Sequence, residues 1–519
     1  MIAPAILDQF GRPYAASRLP RQQPAPANGR GSRGRSLQAR YDVAQTTDTN
    51  AAYWAMADAL DADAANSLTV RKRIRERARY EVANNPYLAG IVDRQAVFEI
   101  ATGPDLQVHG DDEDFNTEVE EAWGRWADAV DLAGLLRTMV MARVVDGEAF
   151  AILGTNPATD DEVKLNFLAV ECDRVTSPQW YGQLENYVDG ITFDDYGNPL
   201  SYDVLTYHPG ASVQGVTRDA IEIPADRMLH LFRPKRPGQH RGVTEIASSL
   251  TIMPGLRRFV AATIFAAETA AKLAGIVETP LAAGDLPDST EPGTVDIPFG
   301  ALAPLPYGSK LSQLKAEHPN TLHSEFLKSG YGQVGSPLSM PRNISMSDSS
   351  DMNFASAQID ALPYWSVIAV LQKHTQRYVL RRIMKAWYAE AAYAYQWTAN
   401  RRILQPYTFN WVGKPYSNPV DDATATQTNL ASGATTFPAV YAVRGKDCLT
   451  EWTKQAAALG LTLDEYRKLV IASVYGPAPQ SPQRMVDAAA AIPAAKVQTP
   501  ETPTDPLPTA PEGHADVEP

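Results

Sequence analysis

Cysteine is almost missing from this chain: Cys172 and Cys448 are the only two in 519 residues, and they stand far apart. That excludes a disulfide framework and every paired-cysteine metal motif, and it fits a reducing compartment. No run approaches the ~18 consecutive apolar residues that would span a bilayer. The opening MIAPAILDQFGRPYA has no basic stretch followed by an apolar one, so no signal peptide is expected. The expectation is a soluble cytoplasmic product. Catalytic signatures are also missing. Without GxxxxGK[ST] the chain carries no motif of an ATP-driven motor, and HExxH and GxSxG do not occur. No cofactor and no metal are expected.

What is present is an ordinary globular composition, 44% hydrophobic and 21% charged, long enough for two to four domains. The net charge of −13 is unevenly spread. Residues 1–45 carry seven arginines against Asp8 and Asp42, a local +5. The run RKRIRERAR at 71–79 has six basic residues against Glu76, again +5, which leaves −23 on the remainder. An acidic chain of this kind is not an overall clamp for nucleic acid. It suits either plain solubility or a lining past which DNA slides without being gripped.

Pattern along the chain divides it further. Residues 1–45, rich in Pro, Gly, Gln and Arg, read as a disordered basic arm, and 476–519, rich in Pro, Thr and Ala, as a disordered tail. Helical periodicity runs from about 50 to 101 with an interruption at Asn84-Asn85-Pro86. Phe115, Val119, Trp123 and Trp126 repeat at helical spacing over 113–130, and a third helix over 132–145 ends at Asp146-Gly147. EAFAILG and VKLNFLAV read as strands, and DDYGNP as the turn of a hairpin. An Ala-rich helix over about 245–276 is expected to break at Pro254-Gly255. Helices are expected at 319–334 and, the longest, at 352–397 with a kink near Pro363. Between them 335–353 reads as a polar, mobile loop.

Candidate chemistry is sparse. His318 and His323 are five apart, a poor spacing for two ligands on one helical face, and His230 alternates with apolar residues as a strand histidine does. DDED at 111–114 suits the acidic first turn of a helix better than a magnesium site. On a helix the six charges of RKRIRERAR spread over most of the circumference. They read as a solvated or inter-subunit salt-bridging surface, with nucleic-acid contact as the alternative.

Several blocks in order resemble the lambda-type portal proteins of tailed phages. They are RERARYEVANNPYLAGIVDRQ, EEAWGRWADAVDLAGLLRTMVMARVVDGEAFAIL, DGITFDDYGNPLSYDVLTYHPG, LHLFRPKRPGQHRGVTEIA, HPNTLHSEF and DSSDMNFASAQ, spread over most of 60–475. VFEIATGPDLQVHG departs from the family in its glycine pattern, and MPRNISMSDSS in length and composition.

The resemblance implies a mainly helical α+β subunit with wing, stem, clip and crown regions, assembling as a ring of about twelve copies. Carried onto this chain, residues 46–240 form the wing and 241–276 the first stem helix. Residues 277–318 form the clip, 319–337 the second stem helix and 338–351 a DNA-facing tunnel loop. Residues 352–399 form the kinked helix returning to the wing, and 400–475 a helical crown. Arg342, Asn343, Ser345, Ser347, Ser349 and Ser350 are then the tunnel-loop candidates, and Asp285, Asp288, Glu291, Asp296 and Lys310 the clip docking surface. The implied function is a non-catalytic ring at one capsid vertex, through which double-stranded DNA is packaged and ejected. The implied partners are copies of itself, the terminase large subunit, a head–tail connector, the major capsid protein with its scaffold, and non-sequence-specific duplex DNA. The alternatives are another virion structural protein, such as a capsid protein or head–tail adaptor, and a metal-dependent nuclease.

Overall fold

The structure, a computed structural model, describes residues 48, 51–178, 186–211, 219–272, 276–278, 310–312, 322–350, 352–413 and 419–476. The arm at 1–45, the tail from 477 and most of the expected clip lie outside them. Two compact units separate, Met1–Ser417 with Tyr441–Asp447, and Asn418–Val440 with Cys448–Pro519.

The first unit opens with a short helix α1 (Ala62–Ala65), then α2 (Leu68–Asn84) and α3 (Pro86–Ile100). The expected interruption is a true boundary. Asn85 is extended, its side chain accepts from the Tyr87 and Leu88 amides, and Pro86 occupies the first turn, where its missing N–H costs nothing. β1 (Asp105–Val108), α4 (Glu113–Ala129) and α5 (Leu132–Asp146) follow. Asp112 caps α4 by accepting from the Phe115 amide, so DDED is a helix start. Phe115, Val119, Trp123 and Trp126 are all buried. Trp123 and Trp126 meet Trp387 at ring-centroid distances of 5.2 and 6.1 Å, and the Trp126 indole donates to Leu165 O, 2.9 Å.

β2 (Glu148–Thr155) is the centre of an antiparallel sheet between β3 (Leu165–Val170) and β8 (Met228–Phe232). A second antiparallel sheet runs in order through β4 (Tyr187–Val188), β5 (Ile191–Phe193), β6 (Pro199–Leu205) and β7 (Ala220–Pro224). The β5–β6 turn is the DDYGNP hairpin, closed by Asp194 accepting from the Tyr196 and Asn198 amides.

Helix α6 is Met253–Lys272. The expected break within a helix beginning near 245 is not there: Pro254 lies in the first turn, and the preceding segment ends in a 3₁₀ turn at Ser249–Thr251. β9 (Ile276–Glu278) and β10 (Lys310–Ser312) pair antiparallel, so the chain leaves and re-enters at one place. Then come α7 (Leu322–Val334), a short α8 (Arg342–Met346), α9 (Phe354–Thr375) and α10 (Arg381–Ala394). Pro363 lies inside α9. Between α9 and α10, Gln376–Leu380 form a π turn that sequence periodicity did not show.

β11 (Tyr407–Asn410) pairs with β1. The expected helical crown from 400 therefore does not hold at its start, because this strand belongs to the first unit's sheet. The second unit contains α11 (Pro419–Ala431), α13 (Cys448–Leu459) and α14 (Leu463–Tyr475); α12 (Phe437–Val443) bridges the chain boundary between units. Trp452 packs with Phe437 and Tyr466, and Thr462 with Glu465 forms a capping box on α14.

Candidate functional site

Charge in the first unit is concentrated inside it. Arg71, Arg75 and Arg79 are four residues apart, so they share one face of α2, the face that carries Ala78. Arg75 pairs with Asp173 at 2.7 Å and approaches Glu148 at 3.5 Å. Arg79 holds Asp146 through two nitrogens, at 2.7 and 2.8 Å, and Asp173 at 2.8 Å. Arg71 pairs with Asp189. Arg241 grips Glu148 from Nη2 at 2.7 Å and Nε at 3.0 Å, and reaches Asp189 at 3.2 Å. Four guanidinium groups thus face four carboxylates. Sequence reading placed the basic run on a solvated or inter-subunit surface; half of it instead lines this intra-subunit hub. The missed signal was the four-residue spacing of three arginines.

Glu148 is fully buried. Burial alone would raise its pKa, but Arg241, the His230 contact at 3.3 Å and Arg71 hold it well below the usual carboxylate range. Burial pushes His230 down, so it sits neutral, stacked on Phe150 at 4.3 Å. Burial, then the neighbouring Arg241, lowers Arg71 to about 10. A second knot lies beside the first. Arg143 meets Glu99 at 2.8 Å and Glu245 at 3.0 Å, Arg233 meets Glu245 at 3.1 Å, and Thr375 donates to Glu99 at 3.0 Å.

Two glycines let the segments meet. Gly147 has φ +96°, and a Cβ there would sit 2.5 Å from Val243 C. A Cβ on Gly242 would strike the Gly147 carbonyl. That close approach allows Gly242 N to donate to Glu148 Oε2 at 2.9 Å and Thr244 Oγ1 to Val144 O at 2.8 Å. Both motifs, DGE and HRGVTE, are explained by this crossing. Every carboxylate of the hub is matched by a guanidinium. Among the described residues no group of three or more His, Cys, Asp or Glu side chains is placed to hold a metal.

The helix pair α6–α7 is the opposite kind of surface. Leu256 lies under Gly330 and Phe259 packs on Phe326 at 4.8 Å and His323 at 5.4 Å, so the two helices run antiparallel. Beyond that seam Ile264 is 56% exposed and Phe265 70% exposed. By length and composition Ser249–Glu268 is apolar enough to cross a membrane. Within it Arg257 is tied to Glu81 at 3.0 Å, which fixes that end of the helix against α2.

The expected tunnel loop is largely folded. Leu338 and Met340 are buried, Arg342–Met346 is helical, and Ser345 is fully buried, its carbonyl accepting from Arg94 at 2.5 Å. Asn343 spends its amide on Ala357 O, 3.3 Å. The mobile-loop reading is therefore corrected over 338–346, because Leu338, Met340, Ile344 and Met346 supply an apolar anchor. Ser347, Ser349 and Ser350 stay exposed, and Lys328 ties Ser350 at 3.1 Å and Asp348 at 3.5 Å. Of the clip candidates, Asp285, Asp288, Glu291 and Asp296 lie outside the described residues, and Lys310 is described only as a backbone position paired with Glu278.

A charge-locked body bearing an exposed apolar helix pair defines a scaffold subunit. Residues 48–372 match the family described as phage portal protein, lambda family, and the chain belongs to it. It is 26% identical over 190 residues to the probable portal protein of Halomonas phage phiHAP-1, covering 34% of this chain and 37% of that protein. It is 26% identical over 200 residues to portal protein B of Escherichia phage lambda, covering 34% and 38%. The matched part is thus little over a third of those relatives' length. Among solved structures, the neck of an empty gene transfer agent particle aligns at 14% identity and TM-score 0.41, over 73% of this chain and 91% of that one. The virion of a native gene transfer agent particle aligns at 13% and 0.39, over 75% and 93%.

Proposed function

We propose that this chain is one subunit of a closed ring at a capsid vertex through which double-stranded DNA enters and leaves the head. Membership of the lambda portal family carries this reading. In this reading its part is structural, and the buried charges around Glu148 hold the subunit together. Exposed side chains such as Ile264 and Phe265 on α6 suit packing against copies of the same helices around an axis. In this reading α6 and α7 are the stem, and the β9–β10 ribbon begins the clip, where Asp285, Asp288, Glu291, Asp296 and Lys310 meet the terminase motor and later the head–tail connector.

The DNA-facing residues are Ser347, Ser349 and Ser350, with Arg342 at their base. Ser345 and Asn343 serve the fold. Hydroxyls make exchangeable phosphate contacts, whereas a ring of lysines or arginines would add salt-dependent friction. Electron microscopy of negatively stained protein together with light scattering tests the ring: about twelve copies around a central hole are expected, and a stable monomer at assembly concentrations overturns it. Replacing all three exposed serines by alanine is expected to leave rings intact and to change packaged DNA length or retention. Unchanged packaging would remove the tunnel assignment.

A further inference from the structure

One exposed stretch is not absorbed by this reading. Within Tyr53–Leu60 four large apolar side chains face solvent: Tyr53 78%, Trp54 52%, Met56 94% and Leu60 49% exposed. The stretch has local structure, with Ala57 N donating to Trp54 O at 3.0 Å and Leu60 N to Asp58 Oδ1 at 3.1 Å. Its base is bolted down. Arg236 donates to Leu60 O at 2.9 Å, Asp63 pairs with His240 at 2.7 Å, and Asn66 donates to Arg241 O at 2.9 Å. A finger with a fixed base and uncovered aromatic and thioether tips is a surface awaiting a partner. Its only charges over 53–63 are Asp58, Asp61 and Asp63.

The matching surface lies on α2. Its inward stripe is consumed by the hub, and its outward stripe presents Val70, Arg73, Arg77 and Tyr80, all exposed and three or four residues apart in succession. Arg73 makes one solvent-exposed pair, to Glu76 at 3.4 Å. The stripe is basic and apolar; the finger is acidic and apolar. In one chain both stay solvent-exposed, although only α1 separates them; on the stripe only Tyr80 is partly met, by the Arg257 guanidinium 5.2 Å from its ring. Two different, complementary surfaces on one chain make a head-to-tail contact, the kind that closes a ring.

We infer that the Tyr53–Leu60 finger of one subunit latches onto the Val70–Tyr80 outer face of α2 in the next subunit. The inference rests on the ring reading and adds the contact that fixes neighbour order. The full chain carrying Asp58→Cys and Arg77→Cys, treated with a short bismaleimide, should give a denaturant-resistant ladder of dimers and higher multiples of the 56.6 kDa chain. Either single variant should give none, since Cys172 and Cys448 are buried. Rings without a ladder, or a cross-link confined to one chain, would overturn the latch and leave the ring standing. Absence of rings from the unsubstituted protein would instead remove the ring reading, and the latch with it. Reversing charge with Arg73→Asp and Arg77→Asp should cut the ring fraction at least tenfold, and adding Asp58→Arg should restore it in part. No restoration counts against the latch. Unaltered circular dichroism shows that these surface variants still fold.

Discussion

The hub around Glu148 and the pair α6–α7 put the same kind of helix to opposite uses. On α2, Arg71, Arg75 and Arg79 point inward and each finds a carboxylate of its own chain. On α6, Ile264 points outward and is 56% exposed. Buried charge is costly unless matched, so the hub is complete within one subunit and adds little by associating. Exposed apolar area is costly until covered, so α6 gains from association. The division separates what makes the subunit fold from what makes it assemble.

The largest effect should come from Glu148→Ala. It strands Arg241 and Arg75 without their carboxylate, and a loss of about 3–5 kcal/mol is expected in urea unfolding. A loss below 1 kcal/mol would mean water already reaches the hub. The hub should also resist acid. Glu148 is held below its unfolded value, so its contribution is present above about pH 4.5 and disappears only as pH falls through the lower, folded value. Gly242→Ala forces a methyl into the Gly147 carbonyl and should cost about 2–3 kcal/mol, read the same way.

Glu120 gives a smaller, opposite-signed effect. Burial raises its pKa to about 7 although it accepts from Val108 N at 2.7 Å. A carboxyl with a raised folded pKa loses stability as pH climbs from about 4.5 to 7, and the loss is complete above that. Glu120→Gln keeps an acceptor for Val108 and should add roughly 1 kcal/mol at pH 8 once solvent screening is allowed for. A melting temperature that rises no more at pH 8 than at pH 5 would exclude it. Ile264→Ser should change protomer stability by less than about 0.5 kcal/mol yet lower ring yield. Equal loss of both would erase the contrast drawn here.

Much of the architecture was legible. Trp123 and Trp126 at core spacing, the Asn85-Pro86 boundary, the Asp146-Gly147 turn and the DDYGNP hairpin are local signals, and local chemistry decides them. The hub was not legible, because Asp173, Asp189 and Glu148 lie 70 to 120 residues beyond the arginines and nothing local tells an arginine which way to face. Residues 338–346 misled for a related reason. Ser339, Arg342, Asn343 and Ser345 give the segment the look of a polar loop, but Leu338 and Met340 anchor it, and Ser345 follows them inward. Asp285, Asp288, Glu291, Asp296 and both tails lie outside the described residues.

The π turn at Gln376–Leu380 has a consequence for how this gene can change. One additional residue in a helix rotates everything after it by about 100°. Trp387 and Ile383 lie in the core in the register that follows this turn. Substitutions there swap one side chain, but losing a single codon would turn the whole of α10 inside out. Relatives with this packing should therefore vary in letters at the exposed positions of 376–394 and almost never in length.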